Sequence, residues 1–401
     1  MSALAQPVRA PRAWAVTASG VAIVGIAFGM SRYGYGLLLP AMRTALGLDL
    51  GTLGLIGAGS YAGYLVASPA TPRLIARRGL RWTVTLGGLT ATAGMSLCAA
   101  STGALSLGAG ITLAGASAAI VWPPYVAAVE LHLAADRRPR AHTLINSGTA
   151  YGVAVAGPLS LLAGSSWRTA WVVFAALAVA VTAWCALVLG PRPTEGRSGA
   201  GPTGGTGTSG SGLWTVARRQ GGLLLVTAVL LGVVSASYWT FGVEAATAAG
   251  PLGSASGAVF QLVVGLSGLA GGAVGALLDR VGLPRLLAAT TVTIGAACLL
   301  LTTGPAWLTL LSAALYGGAF IASLGLLVVW NTRVVPDAAA TGLATSMFAM
   351  GIGLIGSPPL AGALAAAWGV HWVFLACVPL TAALTVLALR SRPAPGPRHT
   401  R

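Results

Sequence analysis

Apolar runs long enough to cross a lipid bilayer recur from one end of this sequence to the other. A hydrocarbon core about 30 Å thick is crossed by roughly 20 apolar residues in an α-helix. Twelve runs meet that length, and we number them as spans 1 to 12: 14–40, 52–72, 82–101, 106–133, 143–163, 169–190, 221–245, 256–278, 284–304, 306–332, 339–362 and 370–390. The sequence therefore predicts an all-α integral membrane protein with twelve transmembrane helices. The first run is too long for a cleaved signal peptide, so we expect it to be retained.

The scarcity of charge excludes a soluble domain. Only 7% of the residues are charged and 56% are hydrophobic, whereas soluble proteins carry about a quarter charged residues. The four cysteines lie inside apolar runs without metal-ligand spacing, so we expect no disulfide framework, no metal site and no cofactor. The chain contains no lysine, and the phosphate-binding motif of ATP-driven pumps requires one, which excludes ATP as a partner.

The positive charges indicate which side of the membrane each loop occupies. All 23 are arginines, and they give a formal net charge of +16. Twenty fall in the termini and in alternate loops, which the positive-inside rule assigns to the cytoplasm. These are Arg9, Arg12, Arg73, Arg77, Arg78, Arg81, Arg137, Arg138, Arg140, Arg192, Arg197, Arg218, Arg219, Arg280, Arg285, Arg333, Arg390, Arg392, Arg398 and Arg401. We therefore predict a multi-pass protein of the cell inner membrane with both termini cytoplasmic. Because the arginines are dispersed, we expect no nucleic-acid partner.

A polar tract divides the chain into two halves of six spans. Residues 191–212 are rich in Gly, Ser, Thr and Pro, which is the composition of a flexible linker. The predicted domains are a first half (1–190), a cytoplasmic linker (191–220), a second half (221–390) and a cytoplasmic tail (391–401).

The two halves share sequence patterns at a nearly constant offset. The pattern W-x-x-x-W-V begins at Trp167 and again at Trp368, 201 residues later. The loop into span 3 contains Gly79, and the loop into span 9 contains Gly282 in a similar setting, 203 residues later. We infer an internal duplication, which is a common way to build transporters with a central binding site.

The loop before span 9 carries a recognisable signature. Residues 275–285, GALLDRVGLPR, resemble the pattern G-x-x-x-D-R-x-G-x-[RK] of the major facilitator superfamily. Gly152, Gly157 and Pro158 in span 5 are similar to part of an antiporter signature of that superfamily. The resemblance in spans, linker and repeat covers nearly the whole chain. It implies a monomeric secondary transporter, not an enzyme, whose two halves rock around a site for a small molecule.

Ionisable side chains within spans are costly and therefore candidates for function. Arg32 in span 1 is either an anion anchor in the central cavity or a side chain that reaches the outer headgroups or braces another helix. Glu244 in span 7 either pairs with Arg32 as an outer gate, carries a coupling proton, or lies in an exposed loop. The remaining candidates for substrate binding are polar or aromatic: Tyr35, Tyr238, Trp239, Gln261, Tyr125 and Asn146.

A second group of charges is predicted to gate the cytoplasmic side. Glu130, with Arg137 seven residues later, is similar to a pattern of sugar porters in the superfamily. We expect Glu130 to contact an arginine of this side, although a proton relay with His132 and a solvated helix end are alternatives. The proposed gating residues are Glu130, Arg77, Arg81, Arg137, Asp279 and Arg280.

Transport is the first functional hypothesis. We expect proton coupling and slightly favour export of an amphipathic compound, with uptake of a small organic anion bound through Arg32 as the alternative. An integral-membrane enzyme or a non-transporting sensor belongs to another class, and seven scattered acids offer an enzyme little chemistry. The dipeptide Pro123-Pro124 is expected to break or bend span 4.

Overall fold

The computed structural model describes residues 10–163, 166–190, 218, 221–248, 255–271, 277–335 and 339–390, without the side chains of 10–12, 279 and 339–340. The described residues form helices and their connections, and they contain no strand. The predicted linker falls outside the described residues except for Arg218, and so does the tail.

A helix occupies the position of every predicted span. Span 1 consists of an α-helix, Ala10–Val24, a π-helix, Gly25–Arg32, and a second α-helix, Gly34–Leu46. Spans 2 to 6 are Leu50–Ala67, Thr71–Ala99, Ala104–His132, Arg138–Leu162 and Trp167–Leu189. Spans 7 and 8 are Gly222–Ala248 and Ser256–Gly271. A short helix, Leu278–Val281, precedes spans 9 to 12, which are Leu283–Leu300, Ala306–Val334, Ala339–Trp368 and Val370–Arg390.

Length and hydropathy support a multi-pass membrane protein. Within the described ranges, nine helices are both long and apolar enough to cross a bilayer, and they correspond to spans 1, 2, 4, 6, 7, 9, 10, 11 and 12. Helices are also present at spans 3, 5 and 8. The first two of these helices begin with arginine-containing turns, and the helix at span 8 has only 16 residues.

Two glycines turn the chain in the same way in the two halves. Gly79 has φ 81° and ψ 174°, and Gly282 has φ 84° and ψ 150°. Both angles lie in a region that side chains with a Cβ rarely adopt. The residues that match in the sequence repeat therefore form the same corner, one before span 3 and one before span 9.

Span 1 changes its helical type where glycines let it approach span 5. A Cβ on Gly25 would lie 3.1 Å from the Gly148 carbonyl oxygen, and a Cβ on Gly29 would lie 2.5 Å from the Gly152 Cα. Such close backbone packing between membrane helices requires small residues. The π-helix that includes these glycines ends at Arg32, and π-helical segments are frequent at functional sites.

The proline pair in span 4 does not break its helix, contrary to one expectation from the sequence. Pro123 and Pro124 both lie inside the continuous helix Ala104–His132. Their missing N–H groups are tolerated because helices in membranes are held by their neighbours. The departures from α-helical geometry lie instead in span 1 and at Gly79.

Glycines also bring the two halves into backbone contact on the predicted outer side. At each of these glycines a Cβ would overlap a backbone atom of the other half. The pairs are Gly36 with Trp239, Gly54 with Pro358, Gly157 with Ala258, Gly265 with Ala154 and Gly362 with Leu50. The spans of the two halves are therefore packed closely together on the predicted outer side.

Asp49 caps the start of span 2 in the outer loop. Its carboxylate accepts hydrogen bonds from the Thr52 backbone N–H at 2.9 Å and from the Thr52 hydroxyl at 2.6 Å. These bonds hold the pKa of Asp49 below its ordinary value, because they stabilise the charged form. The cap is thus charged at any pH near neutrality, and it is lost only when the pH falls through this lowered pKa.

Candidate functional site

Arg32 lies inside a group of aromatic rings near the middle of span 1. Its side chain is only 8% exposed. The guanidinium carbon lies 4.6 Å from the ring centre of Tyr61, 4.8 Å from Tyr64, and 5.8 Å from both Phe28 and Tyr33. We call these four rings the aromatic box. Cation–π attraction stabilises the charge here by roughly 2 kcal/mol, which is less than a buried counter-ion would provide.

Stacked rings continue from the aromatic box into the second half. Tyr33 stacks on Trp239 of span 7, with 4.0 Å between ring centres. Trp239 meets Tyr316 of span 10 edge to face at 5.7 Å, and Tyr316 stacks on Tyr238 at 3.5 Å. The cation of the first half thus lies next to an aromatic surface that both halves form.

Three buried nitrogen donors of the described residues have no hydrogen-bond partner, two of them at this interface and one on span 8. They are Nε of Arg32, Nε1 of Trp239 and Nε2 of Gln261. Trp239 is 8% exposed and Gln261 is 3% exposed. A buried unsatisfied donor costs about 1–3 kcal/mol, and more when it is charged. Such groups call for a partner outside the protein, such as a water molecule, an ion or a ligand.

The more accessible rings of the site lie toward the side that the arginines predict to be cytoplasmic. Phe28 precedes Arg32 by one helical turn and is half-buried, as are Tyr64 of span 2 and Trp122 of span 4. Phe28 contacts Tyr64 at 6.3 Å and Trp122 at 6.1 Å, in both cases edge to face. Tyr33, in contrast, is buried. The more accessible rings beside Arg32 are thus those that precede it on span 1 and those of spans 2 and 4 that contact Phe28.

Glu244 pairs with Arg43, not with Arg32 as one reading of the sequence expected. Glu244 Oε1 lies 3.1 Å from Arg43 Nη2. Arg43 follows Arg32 by eleven residues, or about 16 Å along the helix, so Glu244 lies too far outward to reach Arg32. We call this ion pair, which joins span 1 to span 7, the outer latch.

Glu244 is also not the exposed loop residue that a third reading allowed. It lies within the helix Gly222–Ala248 and is 5% exposed. Its second carboxylate oxygen, Oε2, has no partner. The side chain of Arg43 is 43% exposed, so one end of the latch lies at the surface of the protein.

Glu130 contacts basic residues at the cytoplasmic ends of spans 4 and 5. Its carboxylate pairs with Arg138 Nη1 at 2.7 Å and His142 Nε2 at 3.1 Å. The sequence predicts Arg77, Arg81 or Arg137 as the partner of Glu130. The observed partner, Arg138, is the residue that follows Arg137. His132 bonds instead to the Ala128 carbonyl oxygen, so His142 replaces it as the imidazole beside Glu130.

We expect Glu130→Gln to have a small effect. Its network joins two spans of the same half, and its side chain is 46% exposed, so the ion pairs contribute less than about 1 kcal/mol. Thermal unfolding in detergent should shift by less than about 3 °C, and transport into liposomes should stay within about twofold of the wild type. Asp136→Asn, at a nearby exposed acid, is the control. A strong loss of transport with unchanged stability would instead support the predicted gate.

The other candidates from the sequence lie in different surroundings. The Tyr35 hydroxyl donates to the Leu53 carbonyl oxygen at 2.6 Å, which ties span 1 to span 2. The Tyr125 hydroxyl bonds to Ser19 at 2.9 Å within the first half, and Asn146 is exposed on span 5. Both tyrosine hydroxyls are therefore already engaged in packing contacts. Their role in binding stays a prediction.

Among the predicted gating residues, Arg77, Arg137 and Arg280 are exposed and Arg81 is half-buried. The side chain of Asp279 lies outside the described residues. Their gating role is not tested by these positions and also stays a prediction.

Three important residues were missed by sequence reasoning. The predicted span 1 ends at residue 40 and so leaves out Arg43, although Arg43 lies in the last turn of the helix Gly34–Leu46. Tyr33 follows Arg32 directly, and Phe28 precedes Arg32 by four residues, or about one helical turn. Phe28 was an ordinary apolar residue of a span in that reading, and nothing in the pattern separated it from the others.

The glycines of the partial antiporter signature have a packing role. A Cβ on Gly152 would overlap Gly25 of span 1, and one on Gly157 would overlap Ala258 of span 8. In the part of the chain that the structure describes, no cluster of three or more metal-ligating side chains occurs, and all four cysteines are free and buried.

Family and fold comparisons agree. The sequence matches the family model described as Major Facilitator Superfamily over residues 21–340 and 253–401. The fold is similar to a crystal structure of the nucleoside transporter NupG, with a TM-score of 0.75, 15% identity, and coverage of 93% of this chain and 97% of that chain. It is also similar to an inward-facing, unoccupied bacterial homolog of the human lysosomal transporter Spinster, with a TM-score of 0.72, 15% identity, and coverage of 95% and 97%. No curated protein matches the sequence. At these identities the solved structures show a shared fold alone.

Proposed function

Because the chain belongs to the major facilitator superfamily, we propose that it is a secondary active transporter that moves a small organic molecule by alternating access. The observation that carries this proposal is Arg32, a cation held without a counter-ion among the described residues, beside the interface of the two halves. A site of this kind is expected where two halves alternate around a ligand. An enzyme or a sensor would not require it at this interface.

The outer latch is the proposed point of proton coupling. Arg43 and Glu244 join the halves where the outer side is closed. A proton on Glu244 removes the attraction to Arg43, so that acid outside favours opening of the outer side. Asp49 is unsuitable for this role because Thr52 keeps it charged.

Charge favours inward transport with protons. An inside-negative potential opposes the entry of an anion by about 2.3 kcal/mol per 100 mV. One proton moved with each anion cancels that cost, whereas export of an anion needs no proton. The sequence slightly favoured export, partly through the antiporter signature, but its glycines are required for packing in either direction. We therefore propose uptake, and net export driven by an opposing pH gradient would contradict it.

Glu244→Gln should separate exchange from coupling. Glutamine is similar in size but cannot take up and release a proton. In liposomes, we expect the stimulation of uptake by outer acidification to be at least about tenfold smaller in the variant than in the wild type. The rate of exchange of labelled for unlabelled substrate should stay within about threefold of the wild-type rate. Asp49→Asn is the control that removes an outer acid elsewhere. Full stimulation in Glu244→Gln would exclude this residue as the coupling group.

For the membrane itself, we propose the cell inner membrane, both termini cytoplasmic, and a monomer as the working unit. Arginine placement supports the orientation. Labelling of single cysteines introduced at Thr44 and at Ser68 with an impermeant reagent tests it, since only the first is expected to react from outside intact cells.

A further inference from the structure

The unsatisfied groups of the site define what a ligand must supply. Arg32, Trp239 and Gln261 each present a nitrogen donor without an acceptor. One of the three is a cation that does not lose its proton in proteins. A ligand that satisfies them is therefore rich in acceptors and carries negative charge.

The acids that the structure describes are engaged elsewhere or far from Arg32. Glu244 pairs with Arg43, and Glu130 pairs with Arg138. Asp49 caps span 2, and Asp136 is exposed beyond the cytoplasmic end of span 4. The described part of the chain thus provides Arg32 with aromatic faces but with no carboxylate, which leaves this cation available to an anionic ligand.

The approach to Arg32 is lined by flat side chains. Phe28, Tyr64 and Trp122 are half-buried, and Phe28 contacts each of the other two edge to face. Aromatic side chains favour offset-stacked or edge-to-face contacts with a second ring. A conjugated ring therefore fits this side of the guanidinium better than a flexible aliphatic chain.

We propose that the site binds a planar organic monoanion, an inference that rests on the transport function proposed above. The carboxylate of the ligand accepts two parallel N–H hydrogen bonds from the planar guanidinium of Arg32, a geometry for which arginine is suited. Its ring lies against Phe28, Tyr64 and Trp122. A further ring acceptor meets the free N–H of Trp239 or Gln261.

Matched small probes test this class directly. Benzoate is compared with benzamide, its neutral isostere, with cyclohexanecarboxylate, an anion without a flat ring, and with benzylammonium, a cation. Each is titrated against the purified full chain, and binding is read from the thermal unfolding midpoint and from quenching of tryptophan fluorescence. We expect benzoate to bind at least about tenfold more tightly than each of the others.

The Arg32→Gln variant should lose about 30-fold in benzoate affinity and should no longer distinguish benzoate from benzamide. Arg32→Lys keeps the positive charge but removes the planar guanidinium. Its benzoate affinity shows whether a folded variant also loses affinity when only the planar group is absent. Arg168→Gln is the matched control, because Arg168 is an outer arginine that lies 4.1 Å from the Trp167 ring and away from the site. Benzamide or benzylammonium binding as tightly as benzoate, or no benzoate binding at all, would overturn the proposal.

Exchange in liposomes distinguishes failure of this class from failure of the transport function. Labelled benzoate and labelled uridine are compared, since uridine is a neutral planar solute. Exchange of uridine alone, unaffected by Arg32→Gln, would refute the anion class and leave the transport function standing. Binding of benzoate to a folded chain that exchanges neither solute would refute the transport function and leave the ligand class standing.

Discussion

Gly36→Val is expected to arrest transport almost completely. A side chain at this position would overlap the carbonyl oxygen of Trp239 in the other half. That oxygen belongs to a helix backbone, which cannot turn aside as a flexible side chain can. Overpacking of this kind costs up to about 3 kcal/mol, so the closed outer state should become about 100-fold less populated. Each half can still fold, because the overlap arises only between halves.

Two measurements check this expectation. The initial rate of uptake into liposomes should fall by about 100-fold. A single cysteine placed at Leu37, beside the same contact, should react faster with an impermeant thiol reagent because the outer side stays open. Gly356→Val is the matched control, since a Cβ there meets no atom within 4 Å. Equal loss in both variants would show that valine disturbs these helices in general and would refute the role of the Gly36 contact.

Reversing the charge of Arg43 should have the second-largest effect. Arg43→Glu places a carboxylate beside the buried Glu244, where the native pair is 3.1 Å apart. Loss of one partner of a buried ion pair costs about 3–5 kcal/mol. Because Arg43 is 43% exposed, solvent reduces this to about 2 kcal/mol, or about 30-fold in transport rate.

The exchanged pair provides the decisive comparison. Arg43→Glu combined with Glu244→Arg restores attraction between spans 1 and 7, and should recover at least about a third of the outer closure measured at Leu37. Arg168→Glu reverses another outer arginine and serves as the control. If the double variant were no better closed than Arg43→Glu, the two residues would not act as a pair and the outer latch would be refuted.

The positions of the helices could be predicted because bilayer thickness fixes the length of each apolar run. The corner glycines Gly79 and Gly282 could be aligned from their surroundings, and their backbone angles agree. Arg32 could be selected because a charge inside a span is conspicuous. In each case one local physical requirement determines which residue types can occupy the position, so the sequence shows it directly.

Contacts between distant spans could not be predicted from the sequence in this way. The pairing of Glu244 with Arg43 depends on the depth at which spans 1 and 7 cross, and this depth follows from Gly36 packing on Trp239. The choice of Arg138 over Arg137 by Glu130 depends on the turn between spans 4 and 5. Hydropathy patterns do not record either geometry.

The π-helix of span 1 limits how far the two duplicated halves remain interchangeable. A π-helix bonds each residue to the fifth along the chain, whereas the α-helix of span 7 bonds to the fourth. Residue numbers in the two spans therefore do not stay in step on both sides of Arg32. A change in helical register of this size lets the two spans present different side chains to the interface, a cation on span 1 and aromatic rings on span 7.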